Sequence, residues 1–325
     1  MLQRYLIYWL VVSSLIALFW RKWLGVESWD PFVNSKPVLT PLIVITMYMI
    51  GLLMPRREVD DVFRRWPLVF AGAAIQYTVM PLLAFLLARS FHLEGDAFVG
   101  VVLVGCVPGA MASNVLTMNA RGNTSYSVSL TTAATLLSPL AVPLALRLVL
   151  AGQEIGGPDF VASALTLLKK VVLPVAAGHI TSRWLLPTKW QPHLKTIGST
   201  TANLSILWII ATVVGLNRDA LWQVQFGIFA VLLTLNFSGY AAGYAAGWGI
   251  RLDTPMRRAL TLEVGMQNAG LGAVLAGEFF PGRDAIAIAP ALYTFGCMLT
   301  GTLLAHYWSR RRLDASTTAA SQVVP

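Results

Sequence analysis

The 325 residues offer little to a soft metal: two cysteines and four histidines. Cys106 and Cys297 lie inside apolar runs, and His92, His179, His193 and His306 are far apart in sequence. Neither a disulfide framework nor a His/Cys metal cluster is encoded by such spacing. Charge is also scarce. Charged residues make up 12% of the chain, where a soluble domain carries about 25%. The net charge of +9 does not point to nucleic acid, because the basic residues sit at the edges of apolar runs rather than on one stripe. That is how loop anchors of a membrane protein are placed. An intramembrane enzyme would need a nucleophile–base pair or a metal cluster, and the sequence supplies neither. A non-transporting membrane sensor is disfavoured by the lack of an attached signalling domain.

What is abundant is apolar sequence, 56% of the chain before glycine is counted. This predicts an all-α polytopic membrane protein, with lipid as the main solvent. The first apolar run, 5–20, ends in Trp20, Arg21, Lys22 and Trp23 without a small-residue cleavage site, so it reads as a retained span rather than a signal peptide. Ten spans are expected, near 5–20, 38–54, 67–88, 97–119, 124–150, 171–187, 198–216, 223–249, 257–280 and 285–308. The residues from Leu313 onward are small and polar and read as a disordered tail.

With both termini inside, fifteen of the lysines and arginines fall on the inner side and nine on the outer. The inner set includes Arg4, Arg56, Arg57, Arg64, Arg65, Lys189, Arg311 and Arg312; the outer set includes Arg21, Lys36, Lys169, Lys170 and Arg283. The bias places both termini in the cytoplasm of a cell with this protein in its inner or plasma membrane. The segment 158–170 ends in Lys169 and Lys170. It is expected to be an interfacial helix with its lysines snorkelling to the headgroups, since lysines are costly at depth. The sharper alternative puts both lysines inside the membrane as charge carriers.

Ten spans divide into five plus five, 1–150 and 151–312. A duplicated odd-numbered unit must insert in opposite orientations, the inverted-repeat logic of many secondary transporters. The fourth and ninth spans hold polar strings in corresponding places, and the third and eighth carry Gln76 and Asn236.

Three polar clusters lie within apolar runs, where polar groups are expensive. The first is Pro108, Gly109, Ala110, Met111, Ala112, Ser113 and Asn114. A helix broken here frees backbone carbonyls and exposes half-helix ends that hold ions; a proline kink packed on small residues is the alternative. The second is a hydroxyl stripe, Thr124, Ser127, Thr131, Thr135 and Ser138, three or four residues apart and so on one face. It offers oxygen ligands to a hard cation, or it bonds to its own and neighbouring helices. The third and sharpest is Glu263, Val264, Gly265, Met266, Gln267 and Asn268. A carboxylate taken out of water neutralises unless a cation compensates it. Carboxylate, amide, hydroxyl and backbone carbonyl are the oxygen ligands of a hard cation. A protonated glutamate bonding a neighbouring helix is the other reading.

The strings Pro108 to Thr117, Ala120 to Asn123 and Glu263 to Asn268 resemble the signatures of the bile acid:sodium symporter (BASS) family, and the ten-span layout agrees over nearly the whole chain. The resemblance implies two inverted five-helix repeats, a panel and a core domain, and unwound fourth and ninth helices crossing near the midplane. It implies two sodium sites, with Na+ as the coupling ion. By motif position the first would use Ser113, Asn114, Ser127, Thr131 and Glu263. The second would use Gln76, Glu263, Gln267 and the backbone carbonyls of Val264 and Met266. The substrate side would involve Asn268, Met111, Cys297 and Met298. Many members have Gly-Gly-Thr at Gly109, Ala110 and Met111, and a His-Asn pair where Cys297 and Met298 align. Both departures remove polar groups on the substrate side. The implied activity is not enzymatic: sodium-coupled symport of a small organic anion, bile-salt-like or a small carboxylate or keto acid, by alternating access in a lipid bilayer and with no obligate protein partner. The alternative is a proton-coupled carrier or sodium/proton exchanger using Glu263 as its proton site.

Overall fold

The computed structural model describes residues 6–25, 29–54, 62, 64–152, 156–185, 191–222 and 226–310. The tail expected at 313–325 lies outside the described residues, as do Arg4, Arg56, Arg57, Lys189, Arg311 and Arg312 of the charge count.

The described residues form an all-helical bundle. In chain order it comprises α1 (Leu6–Leu24), the single turn α2 (Pro31–Asn34), α3 (Leu39–Leu53), α4 (Trp66–Ser90), α5 (Gly95–Cys106), α6 (Ala112–Asn119) and α7 (Thr124–Val149). There follow α8 (Phe160–Trp184), α9 (Gln191–Leu216), the short α10 (Arg218–Trp222), α11 (Phe226–Gly249), α12 (Thr254–Gly265), α13 (Ala269–Phe279) and α14 (Ile288–Arg310). Local chemistry sets many of the starts. Asp30, Asn123, Asp159, Asp253 and Asn268 each accept a backbone N–H of the first helical turn, which satisfies donors that have no partner inside the helix.

Eight helices among the described residues are long and apolar enough to cross a membrane. Their faces are sorted by solvent. On α7, Leu140, Leu144 and Leu148 are exposed at four-residue intervals, while Ser127, Thr131, Thr135 and Ser138 are buried. Lipid therefore takes the apolar stripe, and the bundle interior takes the hydroxyls, whose hydrogen bonds hydrocarbon could not supply.

The two remaining expected spans, 97–119 and 257–280, are each two short helices. α5 has 12 residues and reaches about 18 Å, short of a hydrocarbon core of about 30 Å. It stops at Cys106 because Pro108 has no N–H and drives its predecessor out of helical space; Val107 is extended, with φ −74° and ψ 156°. α12 stops at Gly265, and Met266 is extended with φ −115° and ψ 98°. The strands between the half-helices meet in an antiparallel bridge, Gly109 opposite Gln267. The Ala110 N–H donates to the Met266 carbonyl and the Asn268 N–H to the Pro108 carbonyl, both at 2.8 Å.

One expectation fails. Residues 158–170 are not a separate interfacial helix. Asp159 caps a helix that continues from Phe160 to Trp184, with π-helical turns at Leu168–Val172 and Thr181–Leu185. The two lysines fall in the first of these turns and point differently. Lys169 is exposed beside Val44, Ile45 and Tyr48 of α3. Lys170 is half-buried and paired with Glu278 of α13. An ion partner within the protein removes the need for a headgroup, so the helix keeps its length.

Packing divides the helices into two sets. α3 packs on α8 and α9, and α1 packs on α9. In the other set, α4 packs on α5, α7 and α11, while α12 lies among α6, α7 and α11, and α14 packs on α5, α11 and α13. Both helix breaks belong to the second set. A buried ion pair, Asp30 with Arg218, ties the α1–α2 turn to the end of α9; Arg218 Nε also donates to the Ala17 carbonyl at 2.6 Å.

Candidate functional site around Glu263

Glu263 sits in the last turn of α12 and is 1% exposed. Its carboxylate faces the start of α6 and the first turns of α7. Ser113 Oγ donates to Oε2 at 2.6 Å and Thr131 Oγ1 donates to the same oxygen at 2.8 Å. Asn114 Oδ1 accepts from Ser127 Oγ at 2.8 Å and from Thr131 Oγ1 at 3.2 Å. All five residues expected at a first ion site are thus joined in one buried cluster. Asn123 and its neighbours hold the pieces in place: Asn123 caps α7, its N–H donates to the Pro255 carbonyl at 2.9 Å, and Arg258 Nη1 donates to the Ala120 carbonyl at 2.7 Å.

The other carboxylate oxygen, Oε1, is buried and has no hydrogen-bond partner. It lies against the backbone of Gly109, where a Cβ would overlap the Glu263 carboxylate. A charged oxygen held bare in a dry interior costs far more than a neutral one. The donors around it are oxygens of carboxylate, amide and hydroxyl, the set a hard cation prefers. This fits sodium, whose role here would be cargo.

The second expected set is arranged as a chain. Gln76 Nε2 donates to Gln267 Oε1 at 2.7 Å, and Gln267 Nε2 donates to the Val264 carbonyl at 2.7 Å. The Met266 carbonyl accepts the Ala110 N–H. Gln76 Oε1 is the second buried oxygen in this region without a partner. Two side-chain amides and a backbone carbonyl are therefore linked in one buried chain.

The four residues expected on the substrate side are less uniform. Asn268 is half-buried, and its side chain caps α13 through the Leu271 N–H at 3.1 Å. Met111 is half-buried at the start of α6, and Met298 is half-buried and packs near Ala110, Ala112 and Met266. Cys297 is buried, with its thiol on the Thr294 carbonyl at 3.5 Å.

The hydroxyl stripe divides. Ser127 and Thr131 reach the carboxylate cluster, whereas Thr135 and Ser138 donate to the Thr131 and Thr135 carbonyls of their own helix at 2.7 Å. That Gly109 makes room for Glu263 could not be read from the sequence, because spacing carries no signal for a contact 154 positions away. Sequence reading also missed Tyr240, Tyr293 and Thr300, which surround the Gly265 carbonyl with Asn236.

The sequence model described as "Sodium Bile acid symporter family" matches residues 40–224. The chain is 36% identical over 293 residues to YocS of Bacillus subtilis, named as an uncharacterized sodium-dependent transporter, covering 89% of this chain and 88% of that one. It is 31% identical over 268 residues to the probable chloroplastic sodium/metabolite cotransporter BASS1 of Arabidopsis thaliana, covering 82% of this chain and 66% of that one. It is 28% identical over 297 residues to the ileal sodium/bile acid cotransporter of Oryctolagus cuniculus, covering 87% and 83%.

Proposed function

This chain belongs to the sodium bile acid symporter family of sodium-dependent membrane transporters, and from that premise we propose that it is a two-sodium symporter of a small organic anion. The observation that carries the reading is the bare, buried Oε1 of Glu263, held in the space Gly109 leaves and backed by the hydroxyls of Ser113 and Thr131. One sodium ion would be held by Ser113, Asn114, Ser127, Thr131 and Glu263. The other would be held by Gln76, Glu263, Gln267 and the carbonyls of Val264 and Met266.

The architecture we propose is two inverted repeats, 1–150 and 151–312. Support comes from the order of elements. Three long helices, a pair of half-helices and a long helix occur twice, as α1, α3, α4, α5/α6, α7 and as α8, α9, α11, α12/α13, α14. In this reading α1, α3, α8 and α9 are the panel and the remainder is the core, with both termini cytoplasmic. Ions bound at Glu263 neutralise it and fix the crossing strands. The anion then meets the crossing near Asn268, Met111, Cys297 and Met298, where the positive ends of α6 and α13 favour a carboxylate. Core moving against panel exposes the site to each side in turn. Two sodium ions with a monoanion carry one net charge inward, worth roughly 2.3 kcal/mol per 100 mV across the full field.

The test is thermal stability of purified protein titrated with sodium against potassium. Ligand that binds the native state raises stability by mass action. Wild type is expected to gain stability in sodium alone, and Glu263→Ala to lose both that gain and sodium-driven uptake. Lys169→Ala, on the exposed face of α8, is expected to change stability by less than about 0.5 kcal/mol and to keep uptake. The second reading, proton coupling, rests on the same bare oxygen, which would take a proton as readily as it would take an ion. Uptake that follows a pH gradient without sodium would establish it and end the sodium scheme.

A further inference from the structure

We propose that Lys170 of α8 and Glu278 of α13 form an ion-paired gate between the two helix sets, and that this pair must part in every transport cycle. The inference rests on the symport reading above. Lys170 Nζ lies 2.5 Å from Glu278 Oε1, and Thr40 at the start of α3 donates its hydroxyl to the same oxygen. One carboxylate from the second helix set is therefore held by two side chains from the first. A second pair joins the sets: Lys36, just before α3, lies 2.6 Å from Asp284, five residues beyond the end of α13.

Three features mark the pair as a device rather than a surface contact. Its side chains are 28% and 24% exposed, so the charges are largely withdrawn from solvent and their bond is stronger than a surface pair's. Lys170 lies in the π-helical turn Leu168–Val172, and such turns re-aim a side chain relative to a regular helix and recur at functional sites. Its neighbour Lys169 is exposed, whereas Lys170 turns inward to reach Glu278. Finally, Glu278 sits on the half-helix that Asn268 caps, so the gate is one rigid element away from the crossing strands. Any displacement of α13 against α3 and α8 must break this bond. The Asp30–Arg218 pair, which joins the α1–α2 turn to the residues just after α9 and so stays with the first helix set, carries no such requirement.

The experiment follows access to one introduced thiol. Gly270, in the first turn of α13, faces Ile206 of α9 with room for a side chain. Gly270→Cys in a background with Cys106 and Cys297 replaced by alanine is labelled with a membrane-impermeant thiol reagent in sealed vesicles of both orientations. Glu278→Gln is expected to raise the labelling rate several-fold from the face on which α13 ends and to lower it from the other. Equal change on both faces, or none, overturns the gate. In parallel, Thr40→Cys with Glu278→Cys is bridged by a short bifunctional thiosulfonate. Uptake is expected to fall at least tenfold and to return on reduction, while the sodium-induced gain in thermal stability persists. Unchanged uptake in the bridged protein also overturns the gate. Loss of the sodium effect before bridging would instead count against the symport reading, so the two failures are distinguishable.

Discussion

At the first helix break, Val107 to Met111, the backbone passes against a carboxylate; at the entry to the second, Gly265, it passes against a tyrosine. A Cβ on Gly109 would meet Glu263, and a Cβ on Gly265 would meet the ring of Tyr240. The polar surroundings differ in the same sense. Around Glu263 two buried oxygens, its own Oε1 and Gln76 Oε1, lack partners. Around Gly265 the pairing is complete and uncharged. Asn236 Nδ2 and Tyr293 Oη both donate to the Gly265 carbonyl, at 2.7 and 2.8 Å. Thr300 Oγ1 donates to Asn236 Oδ1 at 2.6 Å, and the Tyr240 and Thr300 hydroxyls lie 3.2 Å apart. Buried polar networks that are fully satisfied rigidify a fold, whereas a buried unpaired group raises the free energy until something binds it. One architecture thus carries two kinds of corner: one with unpaired buried oxygens, one closed by its own hydrogen bonds.

Three substitutions break or sharpen this contrast. The largest effect is expected from Gly109→Ala. Its methyl group would take the space of the Glu263 carboxylate, so sodium affinity should fall by about 100-fold or more, equivalent to roughly 2.7 kcal/mol. Isothermal titration with sodium on a monodisperse, helical sample measures it; an unchanged affinity would dissociate Glu263 from ion binding. Next comes Thr131→Val, which keeps shape and removes one hydroxyl from Oε2. Hydrogen bonds to charged groups are worth about 1.5–3 kcal/mol, so a sodium midpoint shifted upward by roughly 10- to 100-fold is expected. The smallest effect on the ion should come from Asn236→Ala at the closed corner. It leaves the Gly265 carbonyl with Tyr293 alone and should cost about 1–3 kcal/mol of stability. Its sodium midpoint, corrected for that loss, should move less than about threefold. A larger movement would mean the two corners are energetically one.

Several parts of this arrangement were legible from residues alone. Apolar run lengths located most of the long helices to within a few positions, because a hydrocarbon core demands unbroken apolar helix of a certain length; α8 and α9 begin eleven and seven residues before the expected spans. Pro108 announced the first break, since a missing N–H acts locally. Glu263 stood out because no packing role explains a carboxylate in an apolar run. The segment 158–170 misled for a physical reason: lysines are costly at depth only when unpaired, and the partner of Lys170 lies 108 positions away at Glu278. Thr135 and Ser138 shared the stripe of Thr131 yet bond to carbonyls of their own helix, an outcome that three- and four-residue spacing does not distinguish.

By itself the sequence determined that the chain is a helical membrane protein, where its apolar helices run, and which carboxylate is out of place. These are consequences of local covalent chemistry and of solvent, and each is read within a single helix length. The tertiary structure decided the rest. It made the second break without a proline, through the bridge of Gly109 to Gln267 and the bond from Gln267 to the Val264 carbonyl. It chose which hydroxyls meet Glu263 and which oxygens stay bare. It also turned Lys170 from an apparent anchor into a partner for Glu278. Each of those outcomes depends on the distance between groups far apart in sequence, a quantity that only packing sets.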